Sequence, residues 1–182
     1  MGCGVAIPID NPSKETMRFP YAQRHSIDKG EIDMRNCYTC QLVARRDAGE
    51  APLWDAIVRT AHWDLAHAYD SSLLGWLVLV SRQHRGAVHE LTAAEATELG
   101  PLLHRASQAL QAATGCVKTY VMQFAEAADH PHVHFHIVPR LADLPDDRRG
   151  PHIFGYLGAP ESERVSDGQM NEIARRIRLF LQ

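Results

Sequence analysis

Three histidines at every second position, His132, His134 and His136, lie in the run His132-Val133-His134-Phe135-His136-Ile137-Val138. A neutral imidazole is a good nucleophile near pH 7 and a ready metal ligand, so a row of three offers covalent catalysis or metal binding. Alternation at period two is the spacing of a β-strand. It sends the three imidazoles to one face, where they line the wall of a site, and Val133, Phe135 and Ile137 to the core on the other. A histidine-rich surface strand or an adventitious metal-binding tract accounts for the histidines alone. The apolar spacers and the following Pro139-Arg140 favour a strand with a buried back. A second group with chemical potential is Cys37-Tyr38-Thr39-Cys40, a pair that fits a redox motif, half of a zinc site, or chance.

Rigid elements must hold such groups, and the flanking sequence supplies them. Ala56 to Thr60 and Trp63 to Ala68 form two strands around a turn, and Trp76 to Val80 is a buried strand rich in β-formers. Thr92 and Glu95 make a capping box for a helix whose stripe is Leu99, Leu102, Leu103, Ala106, Leu110 and Ala113, and Gly115 stops it. Gly100-Pro101 inside that stripe kinks the helix or splits it in two. Val117 to Phe124 returns to strand, and residues 132–139 are the histidine strand. Ser166 with Gln169 opens a last helix with Ile173, Ala174, Ile177, Phe180 and Leu181 on its buried face. Mostly adjacent strands with segregated helices indicate the α+β class, an antiparallel sheet with one long helix and one C-terminal helix. Residues 1–35 mix Pro, Gly, Ser and charge without periodicity and read as an N-terminal tail, which leaves 36–182 as one domain.

With 182 residues and 45% hydrophobic content the chain is long enough to bury a real core. No apolar run reaches the length of a membrane span, and the N-terminus lacks the basic-then-apolar pattern of a signal peptide, so the expected location is the cytoplasm. A net charge of −3 and a pI near 6.4 offer no broad attraction for nucleic acid, whereas a small anion needs only a local site. Four cysteines in such a chain point away from a disulfide framework. Cys3 and Cys116 lack a partner pattern and read as a tail thiol and a small buried residue. His62, His67, His89, His104 and His152 read as packing or surface residues.

Over residues 37–140 the chain resembles the histidine triad superfamily of nucleotide hydrolases and transferases. In that superfamily His, apolar, His, apolar, His and two apolar residues run along one strand, often before Pro-Arg. Residues 1–34 and 141–182 match much less distinctively. The resemblance implies a HIT-like α+β fold and attack by the middle histidine on an α-phosphorus, which splits one displacement into two steps through a nucleotidyl-histidine. His134 takes the nucleophile's place, with a backbone carbonyl on its Nδ1–H leaving Nε2 free. His136 contacts the α-phosphate oxygens, and Gln123 holds the position from which relatives set a polar side chain against the phosphate. Hydrolases of the superfamily typically have His at the third triad position, and the uridylyltransferase branch has Gln in a His-Pro-His-Gly-Gln sequence. His136 therefore favours water as the final acceptor. His130-Pro131-His132 matches the His-Pro-His of the other branch, but that register puts the nucleophile at His132 and leaves His134 in the Gln position. The apolar spacing favours the first register.

Three positions depart from the pattern of relatives. Trp76 stands after Gly75 where many have histidine, Asp129 stands where a small hydroxyl residue usually donates toward the leaving group, and His67 stands where an acidic residue often grips the ribose, with Asp70 nearby but out of register. An ionised Asp129 repels phosphate unless it turns away or stays protonated. Some branches of the superfamily hold zinc with a C-x₂-C pair, a histidine after the following core strand, and the first triad histidine. By resemblance the ligands here are Cys37, Cys40, His84 and His132, a closed Cys₂His₂ set of structural type that also pins the catalytic strand. The resemblance implies a nucleotidyl hydrolase acting on dinucleoside polyphosphates or nucleoside phosphoramidates, and a homodimer with the helix at 92–114 and the C-terminal region as possible contact surfaces. The alternatives are a nucleotidyltransferase or phosphorylase, and a zinc-stabilised nucleotide-binding protein without turnover.

Overall fold

Apolar β-formers at Trp63–His67 (β2) and Leu77–Ser81 (β3) pair antiparallel at the centre of the sheet. The computed structural model describes residues 37–181. The tail expected over 1–35, and Cys3 within it, lie outside these residues. Val58–Arg59 (β1) flanks β2, Lys118–Met122 (β4) forms the far edge, and His134–Arg140 (β5) lies between β3 and β4. The order is β1-β2-β3-β5-β4, and every neighbouring pair is antiparallel. This is the α+β arrangement that the run of strands and helices indicates.

The long helix α2 spans Ala93–Thr114. Its capping box forms as the sequence implies, with the Glu95 N–H donating to Thr92 Oγ1 at 3.2 Å and the Thr92 N–H to Glu95 Oε2 at 2.6 Å. Gly115 ends the helix in the left-handed conformation, at φ 70°, where glycine carries no Cβ penalty. Pro101 does not split it. That residue is exposed, as is Thr97, whose carbonyl it leaves without an amide partner, so the missing bond falls on the solvent side of the helix. The last helix, α3 (Asp167–Leu181), is opened by Ser166 and Gln169, the Gln169 N–H donating to Ser166 Oγ at 3.4 Å.

Both helices cover one face of the sheet. Leu65, Leu77, Leu79, Val133 and Ile137 from the sheet side meet Ala106, Ala109, Leu110 and Ala113 of α2 and Ile173, Ala174 and Ile177 of α3 in one core. Val133, Phe135 and Ile137 thus point into the core, as the alternation requires, and burying each large aliphatic side chain contributes about 1.5–3 kcal/mol. Phe180 does not join them and is 55% exposed. The buried stripe of α3 runs through Met170, Ile173, Ala174, Ile177 and Leu181, and Phe180 lies about 80° around the helix from its centre.

The histidine strand begins one pair later than its spacing suggests. Its ladder with β3 ends at Val80↔His134, and His132 stands outside it. Pro131 has no amide hydrogen, and around it the His132 N–H closes a three-residue turn onto the His130 carbonyl at 2.7 Å. Val133 is held separately, its N–H on the Arg85 carbonyl and its own carbonyl receiving the Ser81 N–H.

A further helix, α1 (Tyr38–Asp47), starts within the Cys37–Cys40 pair and lies on the sheet face that carries His134 and His136, away from α2 and α3. Its buried residues are Thr39, Val43 and Arg46, so it has no apolar stripe to announce it. What anchors it is charge: Arg46 donates from Nη2 to Asp55 Oδ1 at 2.7 Å and from Nε to the Asp55 carbonyl at 2.7 Å, with Asp64 at 3.7 Å from Nη1.

Candidate active site and metal centre

The sheet face away from α2 and α3 carries a cavity of about 320 Å³. Val78 and Val80 of β3 and His134 and His136 of β5 form one wall, and Thr39, Leu42 and Arg46 of α1 form another. Phe124 to Ala127, Phe154 and Leu157 border it, the last two carried by the irregular chain after β5. Period two brings His134 and His136 to this wall together, with their ring centroids 4.9 Å apart and the planes at 86°.

Each ring has a fixed tautomer. His134 Nδ1 lies 2.7 Å from the His132 carbonyl, which only accepts, so Nδ1 carries the hydrogen and Nε2 keeps its lone pair. Burial lowers the pKa of His134, which favours the neutral ring. His136 has the opposite arrangement. Its Nδ1 accepts from the Trp76 indole N–H at 3.0 Å, so its hydrogen sits on Nε2. Burial, then the neighbouring His134, push the His136 pKa down to about 3. The pair therefore combines an unprotonated ring nitrogen with a neighbouring N–H donor, which is what attack at an electron-poor centre with charge developing beside it requires.

The other expected residues are placed as follows. Gln123 comes directly after β4 and does not line the cavity. Asp129 turns to solvent, its side chain 72% exposed and its carboxylate 3.7 Å from His130 Nε2. His67 is buried, donates from Nδ1 to the Ala68 carbonyl at 2.8 Å, and accepts the Gly75 N–H on Nε2 at 2.9 Å. Burial pushes its pKa down to about 4, so it is a neutral pin for the turn before β3. Asp70 lines the cavity and accepts the Gly158 N–H at 3.1 Å. His130, which the sequence offers only as the first residue of the disfavoured His-Pro-His register, has its Nδ1 2.8 Å from Thr39 Oγ1 at the cavity wall, and Phe154, which no motif marks, meets His136 at 5.3 Å. Neither has a local signal for this role: His130 precedes Pro131 outside the alternating run, and Phe154 lies in a segment without periodicity.

His132 belongs to a different cluster from its two neighbours. Cys37, Cys40, His84 and His132 bring one donor atom each to within 4.8 Å of one another. Cys37 Sγ and Cys40 Sγ lie 3.6 and 3.5 Å from His132 Nδ1, and Cys40 Sγ lies 3.2 Å from His84 Nδ1. A tetrahedral zinc with ordinary Zn–S and Zn–N bonds has S···N edges of about 3.6 Å. The donor chemistry fits as well, because His132 Nε2 is 2.7 Å from the Ser81 carbonyl and so holds the hydrogen, leaving Nδ1 free to ligate. With no metal bound, burial and then the adjacent Cys37 raise the Cys40 thiol to about 12. Four protein donors close the coordination shell, which is the structural and not the catalytic form of a zinc site.

No family model matches the chain, and none of the curated proteins matches it. Solved structures do. A HIT-like protein involved in cell-cycle regulation from Bartonella henselae is similar with a TM-score of 0.58 at 19% identity, over 76% of this chain and 93% of that one. A hypothetical histidine triad nucleotide-binding protein from Sulfolobus tokodaii gives 0.59 at 14% identity, over 78% and 91%. A zinc-bound histidine triad family protein from Mycobacterium smegmatis gives 0.54 at 18% identity, over 80% and 92%. At these identities the likeness establishes the fold: this chain has the histidine-triad fold.

Proposed function

We propose that this protein is a nucleotidyl hydrolase that cleaves at the α-phosphate of a nucleotide through a covalent nucleotidyl-histidine on His134. The observation that carries the reading is the His134 ring in the cavity wall with Nδ1–H committed to the His132 carbonyl, beside the His136 Nε2–H. Attack by Nε2 forms the N–P bond as the leaving group departs, and water then takes the nucleotidyl group. Gln123 does not border the cavity but stands beside Phe124, which does, and it is proposed as a further phosphate contact on the strength of the resemblance alone. Arg46 is the sole Lys or Arg lining the cavity among the described residues, and Asp55 already neutralises it. The lining itself therefore offers a polyphosphate no spare cation, but Arg164 lies close enough to Tyr69 of the wall to act on it, and both nucleoside phosphoramidates and dinucleoside polyphosphates stay within the proposed class.

Incubation with a panel of adenylylated amines and dinucleoside polyphosphates in ¹⁸O-labelled water tests this. The expected product is a nucleoside monophosphate carrying the label. Product formed only when phosphate or a second nucleotide is added means a transferase or phosphorylase, and nucleotide binding without product means a non-catalytic protein. His136→Ala is expected to slow turnover on the order of 10²–10³-fold, as for loss of one charge-stabilising donor. Wild-type rates in that variant remove His136 from the mechanism.

Zinc in the Cys37, Cys40, His84 and His132 site is part of the same proposal, supported by the donor geometry and by the zinc-bound structural relative. A thiolate site suits a reducing compartment, in keeping with the cytoplasm. No helix among the described residues is long and apolar enough to cross a membrane. A homodimer is also proposed. Among the described residues β4 is a sheet edge without a partner on its outer side; Val121 within it and the flanking Val117 and Phe124 are exposed, as are Leu179 and Phe180 of α3. Sedimentation at micromolar concentration should give twice the mass of the chain, and a single monomeric species overturns the assignment.

A further inference from the structure

The two departures at His67 and Trp76 are parts of one device. His67 Nε2 accepts the Gly75 N–H at 2.9 Å, and the Ala68 N–H reaches the Trp76 carbonyl at 2.8 Å, so the turn leading into β3 is tied at both ends. Gly75 sits there at φ +88°, and a Cβ on it would come within 3.1 Å of Leu110 and 3.3 Å of Thr114. The turn thus delivers Trp76, fully buried, with its indole N–H on His136 Nδ1 at 3.0 Å. Phe154 closes the remaining side, meeting Trp76 at 5.6 Å and His136 at 5.3 Å.

We propose that Trp76 is a positioning residue whose N–H holds His136 in the single tautomer with hydrogen on Nε2, so that His136 serves as a fixed hydrogen-bond donor to the reacting phosphoryl group and not as a proton carrier. This rests on the nucleotidyl-transfer reading of the cavity. An indole N–H donates and never accepts. A second hydrogen on His136 Nδ1 would face it directly, and loss of the Nε2 hydrogen would leave an imidazolate. Rotating the ring would set a carbon against the indole N–H and strand a buried donor, which is the costly alternative. His136 therefore neither takes up nor gives away a proton during the reaction: an amine leaving group takes its proton from solvent as the P–N bond breaks, and the water that then attacks phosphorus returns one to solvent as the histidine N–P bond breaks. The hydrogen bond also fixes the direction of Nε2–H, so the donor needs no reorientation when charge develops on phosphorus.

Nitrogen-15 NMR of the ring nitrogens in the intact wild-type protein tests the tautomer without any substrate. His136 is expected to show a protonated Nε2 and an unprotonated, hydrogen-bonded Nδ1, and the Trp76 indole hydrogen is expected to exchange slowly. A protonated Nδ1 overturns the inference. Trp76→Phe keeps the ring in place and removes the N–H. It is expected to give His136 a mixture of tautomers and to lower kcat roughly 10-fold with KM nearly unchanged, since one donor alignment is lost. An unmixed Nε2–H tautomer with unchanged kcat in that variant also overturns it. Absence of turnover in the wild type is a separate result. It removes the nucleotidyl-transfer reading and with it the role assigned to the donor, while the nitrogen spectrum still decides whether Trp76 sets the tautomer.

Discussion

His134→Ala is expected to lower turnover on the order of 10⁴–10⁶-fold while the affinity for a non-hydrolysable nucleotide analogue stays within about tenfold of wild type. The asymmetry follows from what the side chain does. Nε2 forms a bond only on the way to the transition state, and in the ground state it is one group in a cavity lining that also includes Val78, Val80, Leu42 and Phe154. Removing it deletes the covalent route and little of the binding surface. The same wild-type reaction, quenched during turnover and digested, should carry a nucleotide mass on the peptide containing His134. Near-native hydrolysis by His134→Ala, or the label on another residue, means that the register and the mechanism are both wrong.

The histidine wall was legible because strand alternation is a local rule. Whatever surrounds the run from His132 to Val138, residues two apart share a face, and so Val133 and Ile137 had to enter the core if His134 and His136 faced a site. The rule stops at the strand's end. His132 keeps the side but not the company of its neighbours, because the turn at Pro131 takes it out of the ladder and toward Cys37 and Cys40. Helix α2 was legible for a similar reason, since its cap, stripe and terminal glycine are all written within the helix itself.

What escaped the sequence depends on distant partners. Helix α1 buries Arg46 instead of a leucine, and nothing near Arg46 in the chain says that Asp55 and Asp64 will receive it. Trp76 and His67 looked like losses relative to the pattern of relatives. In three dimensions each ring nitrogen of His67 and the indole of Trp76 has a partner, and together they orient the turn before β3 and the ring of His136. Asp129 looked like a charge in the path of phosphate, yet the tight turn that follows it leaves its carboxylate in water. Compensation of this kind is invisible to position-by-position comparison, because it takes two departures to make one arrangement.

Removing the metal is expected to cost stability on a scale that no surface substitution reaches. Structural zinc sites have apparent binding free energies of about 10–16 kcal/mol, and losing even about 4 kcal/mol of that lowers the unfolding midpoint of a chain this size by roughly 8–16 °C. Protein purified without chelator should contain about one zinc per chain. Cys40→Ala should lose the metal and the corresponding thermal stability, since Cys40 Sγ is within 3.5 Å of both histidine donors. The chemistry should suffer less at temperatures where the variant is folded. The His132 carbonyl that orients His134 is held by the backbone, through the His132 N–H on His130 and the Val133 N–H on Arg85, and neither bond passes through a ligating side chain. Calorimetry of the zinc-loaded and chelator-treated forms, with activity assayed well below both midpoints, separates the two effects. Equal midpoints would leave the four donors without a structural role, and loss of activity in a folded, metal-free protein would mean that the metal acts on His134 through more than the fold.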